Sequence, residues 1–151
     1  MPQKFYIPWT PAPNNIKRID KIHTWLYKKT RGVIGSRLDG MDVLLLTTTG
    51  VRSGLPRCVP LPYFTLSGHT VVVGSFGGNA KNPKWVANVE RQPFVSVQCG
   101  SRVWNARARI LQGEEREKIW SELAYEFPRY GKYQTRTERL IPVVLIDPPA
   151  H

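Results

Sequence analysis

Arg52, Ser53 and Arg57 fall within a single eight-residue stretch, GVRSGLPR, together with two glycines and a proline. A stretch of this composition is an exposed turn, not a continued strand. It presents guanidinium forks and a hydroxyl beside freely oriented backbone N–H groups, and both kinds of donor favour anionic oxygens such as those of phosphate. A plain solvated basic turn is the competing reading. Other chemistries lack their residues. His23, His69 and His151 stand in unlike contexts, so neither a zinc site nor a Ser–His–Asp triad is supported. The basic turn lacks the lysine and hydroxyl ending of a nucleotide P-loop, and GSFGG at Gly74–Gly78 does not fit the dinucleotide fingerprint. Cys58 and Cys99 fall in expected strands without a partner for thiol chemistry, and they read as reduced core residues.

The turn needs strands to hold it. Val43 to Thr49 is apolar and then β-branched, which predicts a strand buried on at least one face. Cys58 to Phe64 is extended again, because Pro60 and Pro62 forbid a helix. The two make a β-hairpin with the basic turn at its tip. A further strand is expected over Thr70–Phe76, followed by a glycine-rich loop, GGNAKNPKW, and a short helix near Pro83 to Glu90. Phe94–Cys99 and Arg102–Leu111 predict a second hairpin about Gly100-Ser101. In its later strand Trp104, Ala106, Ala108 and Ile110 face one side, and Asn105, Arg107 and Arg109 the other. Glu114, Glu115 and Glu117 open a helix whose buried stripe is Ile119, Trp120, Leu123, Ala124 and Phe127, ended by Pro128. The stretch RYGKYQTRTERLIP reads as a polar loop before a last strand, Val143–Asp147. About six mainly antiparallel strands with two or three helices predict a mostly β, α+β fold closing into a small barrel.

The chain splits into residues 1–30, an N-terminal arm with a helix, and residues 31–151, a single barrel domain. The helix, from Asn14 or Asn15 to about Thr30, sets Ile16, Ile19, Ile22 and Leu26 at helical spacing among lysines. It either packs on the barrel or lies on an anionic membrane surface, with Trp25 and Tyr27 at the interface. The formal net charge of +11 asks for an acidic partner. Nucleic acid is not expected, since the basic residues are spread through turns and helices without a recognition helix or RNA-binding aromatics. No apolar run approaches membrane-spanning length and the N-terminus lacks a signal-peptide core, so the expected location is cytoplasmic, with peripheral attachment to the membrane's cytoplasmic face as an extension.

The order of LLLTTTG-x-R-S-G-x-P-R, VVVGS-x-GG-x-x-KNPKW, FPRYGKY and IPVVLIDP resembles the deazaflavin-dependent nitroreductase family. These are small split β-barrels related to flavin-binding pyridoxamine-oxidase-like barrels, and the resemblance runs from about Gly32 onward. It implies coenzyme F420 as cofactor, with flavin mononucleotide less favoured, and a polyanionic cofactor of this kind accounts for much of the positive charge. By matching motif positions, the phosphate falls to Val51, Arg52, Ser53, Gly54, Leu55, Pro56 and Arg57. The ring system falls to Gly74, Ser75, Phe76, Lys84, Trp85 and Asn88, with Gly77 and Gly78 allowing close backbone approach. A core aromatic under the loop is the other reading of Trp85. Tyr130, Tyr133 and Ser75 match the catalytic positions, with Tyr130 as hydrogen-bond donor to the acceptor. Two positions depart from the family pattern. Val51 offers the turn one cation fewer, and Phe76 makes the acceptor pocket more apolar. The implied activity is hydride transfer to a small or lipophilic acceptor such as a quinone, with nitroaromatics as incidental acceptors. An enone (C=C) reductase and a non-catalytic carrier of deazaflavin or flavin are the alternatives, and a homodimer is compatible with all of them.

Overall fold

The structure is a computed structural model that describes Lys21, Thr24, Trp25, Tyr27–Lys29, Arg37–Leu38 and residues 40–149. Its strands are β1 Arg37–Leu38, β2 Met41–Thr49, β3 Pro56–Leu66, β4 His69–Val73, β5 Phe94–Cys99, β6 Arg102–Ile110 and β7 Val143–Ile146. Its helices are α1 Lys84–Arg91, α2 Gly113–Glu126 and α3 Pro128–Thr135, with a 3-10 turn at Phe76–Gly78. The order β1-β2-β3-β4-β7-β6-β5 is closed by a β2–β5 pairing, so six strands form a barrel with β1 as an edge addition. Every pairing is antiparallel. This is the split-barrel fold expected from the sequence.

Alternation along β2 explains why that strand is central. Leu44 and Leu46 point into the barrel with Val72, Val95, Val97, Ala106, Ala108, Val144 and Ile146. Val43 and Leu45 point outward and are covered by Tyr27. A strand buried on both faces must be apolar throughout, as Val43–Leu46 is. Each such side chain contributes about 1.5–3 kcal/mol of burial. The outer face of β3, β4 and β7 carries Phe64, Leu66, Val71, Val73, Val143 and Leu145, which meet Ile119 and Leu123 of α2 and Tyr130 and Tyr133 of α3. Helix α1 closes one end of the barrel, with Trp85, Val86 and Val89 packed into the interior cluster.

Several expectations change. The strand expected to reach Phe76 stops at Val73, because the following residues turn into the left-handed region, with φ of 45° at Phe76, 63° at Gly77 and 80° at Gly78. The supposed polar loop after Phe127 begins with helix α3. Pro128 both ends α2 and starts α3, since a proline is compatible with a first helical turn. Cys58 and Cys99 are half-buried, not core, and both are free thiols. The helix expected over residues 14 to 30 lies mostly outside the described residues, although Lys21, Thr24, Trp25, Tyr27, Lys28 and Lys29 are helical. Tyr27 is fully buried, and its hydroxyl accepts from Gly100 N at 2.7 Å and donates to Gln98 O at 3.3 Å. That end of the helix therefore packs on the barrel. No helix among the described residues is long and apolar enough to cross a membrane.

Candidate active site

The β2–β3 turn is a tightly wired loop. Gly50 N donates to Leu55 O at 2.8 Å and Gly54 N to Gly50 O at 2.9 Å. Ser53 Oγ accepts from Leu55 N at 3.1 Å and from Arg57 Nη2 at 3.2 Å. A Cβ on Gly50 would stand 2.6 Å from Ser53 Oγ, so any side chain there would displace the hydroxyl that ties the turn. Val51 N donates to Asn88 Oδ1 at 3.1 Å, and Asn88 Nδ2 donates to Thr48 Oγ1 at 2.9 Å. The amides of Gly50, Val51, Gly54 and Leu55 are thus committed within the protein, contrary to the freely oriented N–H groups expected of this tip. What the turn does offer an anion is the pair of exposed guanidinium groups of Arg52 and Arg57, carried on this hydrogen-bonded loop.

Asn88 joins this turn to α1, and α1 joins both to the glycine-rich loop. A Cβ on Gly74 would come within 2.8 Å of Val86 Cγ2, so that loop lies directly on the helix. Ser75 and Phe76 are half-buried on it, and Lys84 is exposed at the start of α1. Trp85 is 5% exposed and packs inside the barrel, which makes it a core aromatic in this arrangement. Asn88 is likewise buried, with both ends of its amide engaged. Three segments expected to act together, 51–57, 74–76 and 84–88, therefore occupy one end of the barrel. Three large apolar side chains are exposed there as well: Val51 by 43%, Leu55 by 57% and Phe94 by 64%. The β2–β5 register pairs Thr47 with Ser96, and its continuation sets Phe94 level with Thr49, next to the turn.

The tyrosines stand on α3. Tyr130 and Tyr133 are 4% and 5% exposed on α3, and both belong to the outer cluster. Tyr130 stacks edge-on against Phe64 at 5.4 Å, and its hydroxyl donates to Met41 Sδ at 3.8 Å. Met41 opens β2, whose nine residues end at Thr49. At about 3.3 Å per residue the strand sets the two ends on the order of 27 Å apart. The structure thus does not bring Tyr130 to the Arg52 turn. Tyr133 comes nearer: its backbone lies against the glycine-rich loop, since a Cβ on Gly78 would meet Tyr133 O at 2.5 Å, and its ring lies 5.5 Å from the Arg136 guanidinium. The close approach that Gly78 permits is that of α3.

Sequence reasoning missed Arg139. It sits in the segment after α3 and donates Nε to Asn79 O at 2.8 Å, Nη2 to Ser75 O at 2.7 Å, and Nη1 to both Gly74 O at 3.1 Å and Asn82 Oδ1 at 2.7 Å. Burial pushes its guanidinium below the ordinary arginine value. Arg136 adds a longer bond to Gly77 O at 3.4 Å. The signal was a run of arginines, QTRTER, whose partners lie some sixty positions away and cannot be read locally.

A concavity of about 240 Å³ lies near the start of β2, lined by Met41, Tyr63, Asp42 and Glu126 among others. Its two carboxylates suit no polyanion. Cys99 is also at that end, its thiol sharing a hydrogen bond of 3.2 Å with Tyr63 OH. This bond, with burial, raises the Tyr63 hydroxyl above its ordinary value. Among the described residues no cluster of side chains could hold a metal ion.

A closed antiparallel barrel with a cationic turn, a glycine-rich loop and an apolar rim at one end defines a protein of the split-barrel class. Comparison with known proteins gives the family. The profile of the F420H(2)-dependent quinone reductase family matches residues 19–148, and the chain belongs to that family. An F420H(2)-dependent quinone reductase of Mycobacterium tuberculosis is 32% identical over 130 residues, which is 83% of this chain and 87% of that one. A solved F420-H2 dependent reductase, FDR-A, is 45% identical with a TM-score of 0.62, covering 70% of this chain and 93% of its own. A solved domain-swapped dimer is 40% identical with a TM-score of 0.65, covering 90% of this chain and all (100%) of its own. The protein is an F420-dependent reductase, and its cofactor is coenzyme F420. The residues at the barrel end fit that group, with exposed arginines for its anionic parts, open space at Gly54 and a left-handed backbone at Gly77.

Proposed function

We propose that this protein reduces a lipophilic quinone to the hydroquinone at the barrel end bearing Arg52, Arg57 and the exposed Val51, Leu55 and Phe94. The observation that carries the reading is the coexistence of a cationic mount and an apolar rim on one end of a barrel of this family. When bound in its reduced form, the deazaflavin supplies a hydride, and with one proton this converts a quinone to its hydroquinone. Arg52 and Arg57 hold the cofactor's phosphate, and the turn around them is fixed by Asn88 and Ser53. The apolar side chains of Val51, Leu55, Phe94 and Phe76 take up the acceptor and exclude water, so that the reacting atoms meet at roughly 3–3.5 Å. Ser75, half-buried on the glycine-rich loop, is the best placed of the three expected catalytic residues to donate a hydrogen bond to the acceptor oxygen as charge develops. Tyr130 and Tyr133 support the barrel from its outer face, a role their burial favours over direct contact with the acceptor.

A membrane role for residues 14–30 draws on less. Trp25, 58% exposed with Lys29 Nζ 5.3 Å from its ring, suits an anionic interface. Tyr27, however, is bonded to Gln98 and Gly100 where β5 turns into β6, away from the basic turn.

The test is steady-state oxidation of the reduced cofactor with a series of quinones, alongside a nitroaromatic and an enone. Quinones should give the highest kcat/KM. Preference for the enone would move the activity to C=C reduction, and tight cofactor binding without any turnover would leave a carrier.

A further inference from the structure

We propose that Arg139 is a positioning residue for the reaction, holding the Gly74–Asn79 loop in the one conformation that presents Ser75 and Phe76 to cofactor and acceptor. The inference rests on the function proposed above and concerns a residue outside the expected cofactor turn and loop.

Phe76 is the point of strain. Its φ of 45° lies in the left-handed region, which a bulky side chain adopts only when its surroundings force it. Two glycines with φ of 63° and 80° follow at once, so the chain here is made of residues with little conformational preference of their own. Local hydrogen bonds are few: Gly78 N to Ser75 O at 2.9 Å and Asn79 N to Phe76 O at 3.1 Å. The constraint comes from across the sequence. Every nitrogen of the Arg139 side chain donates to this loop, to the carbonyls of Gly74, Ser75 and Asn79 and to the Asn82 side chain. These acceptors lie before and after Phe76, so the guanidinium brackets the strained residue. No carboxylate takes part in these bonds, and the arginine therefore serves as a multivalent donor and not as half of an ion pair.

Arg139 is itself held. Gln134 Nε2 donates to Arg139 O at 2.7 Å and Gln134 Oε1 accepts from Ile141 N at 3.0 Å. The buried Arg116 donates Nη2 to Ile141 O at 2.7 Å, and Gly74 N donates to Pro142 O at 2.9 Å. The clamp is thus anchored on α2 and α3, the layer that covers the barrel's outer face. A loop free to relax at Phe76 would still bind the cofactor's phosphate through Arg52 and Arg57, but it would misplace the groups nearest the reacting atoms. Misplacement of this kind lowers turnover more than binding.

The experiment compares wild type, Arg139→Ala and Arg139→Lys as full-length protein by three readouts: amide hydrogen exchange of the free protein, deazaflavin affinity by fluorescence, and kcat and KM with a quinone. Arg139→Ala should speed exchange at Gly78 and Asn79 about tenfold. It should lower kcat about tenfold while changing cofactor Kd less than about threefold. Arg139→Lys should behave like the alanine variant, because one ammonium cannot span acceptors on both sides of Phe76; it carries the test alone if the alanine variant does not fold. Unchanged exchange and kcat in either folded variant would overturn the proposal, as would full rescue by lysine. A wild-type protein without quinone turnover would refute the proposed function instead, and the exchange readout would still decide the clamp.

Discussion

Asn88→Ala tests how the basic turn is held. The substitution deletes an amide that accepts from Val51 N at 3.1 Å and donates to Thr48 Oγ1 at 2.9 Å. Asn88 is 7% exposed and Thr48 2%, so water does not readily replace the lost partners. Two hydrogen bonds at about 1 kcal/mol each, with roughly 1 kcal/mol more for the stranded Thr48 hydroxyl, give about 3 kcal/mol of lost stability. For a chain of this length that is a fall in Tm of roughly 6–12 °C. The turn, released from α1, should also bind deazaflavin about tenfold more weakly, or ~1.4 kcal/mol. Thr48→Ala is the control: it removes the bond from Nδ2 and strands that buried amide but leaves Val51 tied, and should cost about 2 kcal/mol with little effect on affinity. Thermal unfolding and cofactor titration of both variants decide the matter. An Asn88→Ala protein as stable and as tight-binding as wild type would refute the idea that this amide mounts the turn.

Removing both cations by Arg52→Ala with Arg57→Ala should weaken deazaflavin binding at least about tenfold and leave Tm nearly unchanged, because both side chains are exposed; fluorescence titration reads the first and calorimetry the second. Tyr130→Phe should keep kcat within about twofold of wild type, since the lost hydroxyl reaches Met41 Sδ and not the cofactor end. A large fall in kcat would return Tyr130 to the reaction. Glu122 accepts from Ser67 N and Oγ at 3.1 and 2.8 Å, which holds its carboxyl below the ordinary value of 4.5. A depressed carboxylate stabilises the fold above its unfolded pKa and loses that contribution as pH falls. Glu122→Gln should therefore flatten the acid limb of stability against pH, measured by urea unfolding. Deleting residues 1–30 removes the Tyr27 anchor and should lower Tm; a vesicle-sedimentation assay shows whether affinity for anionic lipid falls with it.

Strands were legible where a period of two met a turn signal. Phe94–Cys99 matches its expected bounds, and the alternation of Ala106 and Ala108 with Arg107 and Arg109 divides buried from exposed as written. Both hairpin tips carry glycines, which mark such turns plainly. Helix α3 was hidden because its eight residues include a glycine and a proline, so propensity argued against it and packing of two tyrosines decided it. The basic turn was located from composition, but not its wiring, since Asn88 lies 37 positions from Val51. The Arg139 clamp was illegible for the same reason: a guanidinium bonded to backbone carbonyls leaves no pattern in the residues it grips. The resemblance supplied the family and cofactor, whereas the arrangement of Tyr130 and Tyr133 needed the fold.

The most direct test of the central claim is single-turnover oxidation of the reduced deazaflavin bound to this protein, followed by its returning absorbance on mixing with a lipophilic quinone. Rapid, stoichiometric oxidation with one hydroquinone formed per cofactor is expected, with deazaflavin binding at least about tenfold weaker when Arg52 and Arg57 are both replaced. Cofactor that binds but is not oxidised by any quinone, or binding indifferent to both arginines, would contradict the claim.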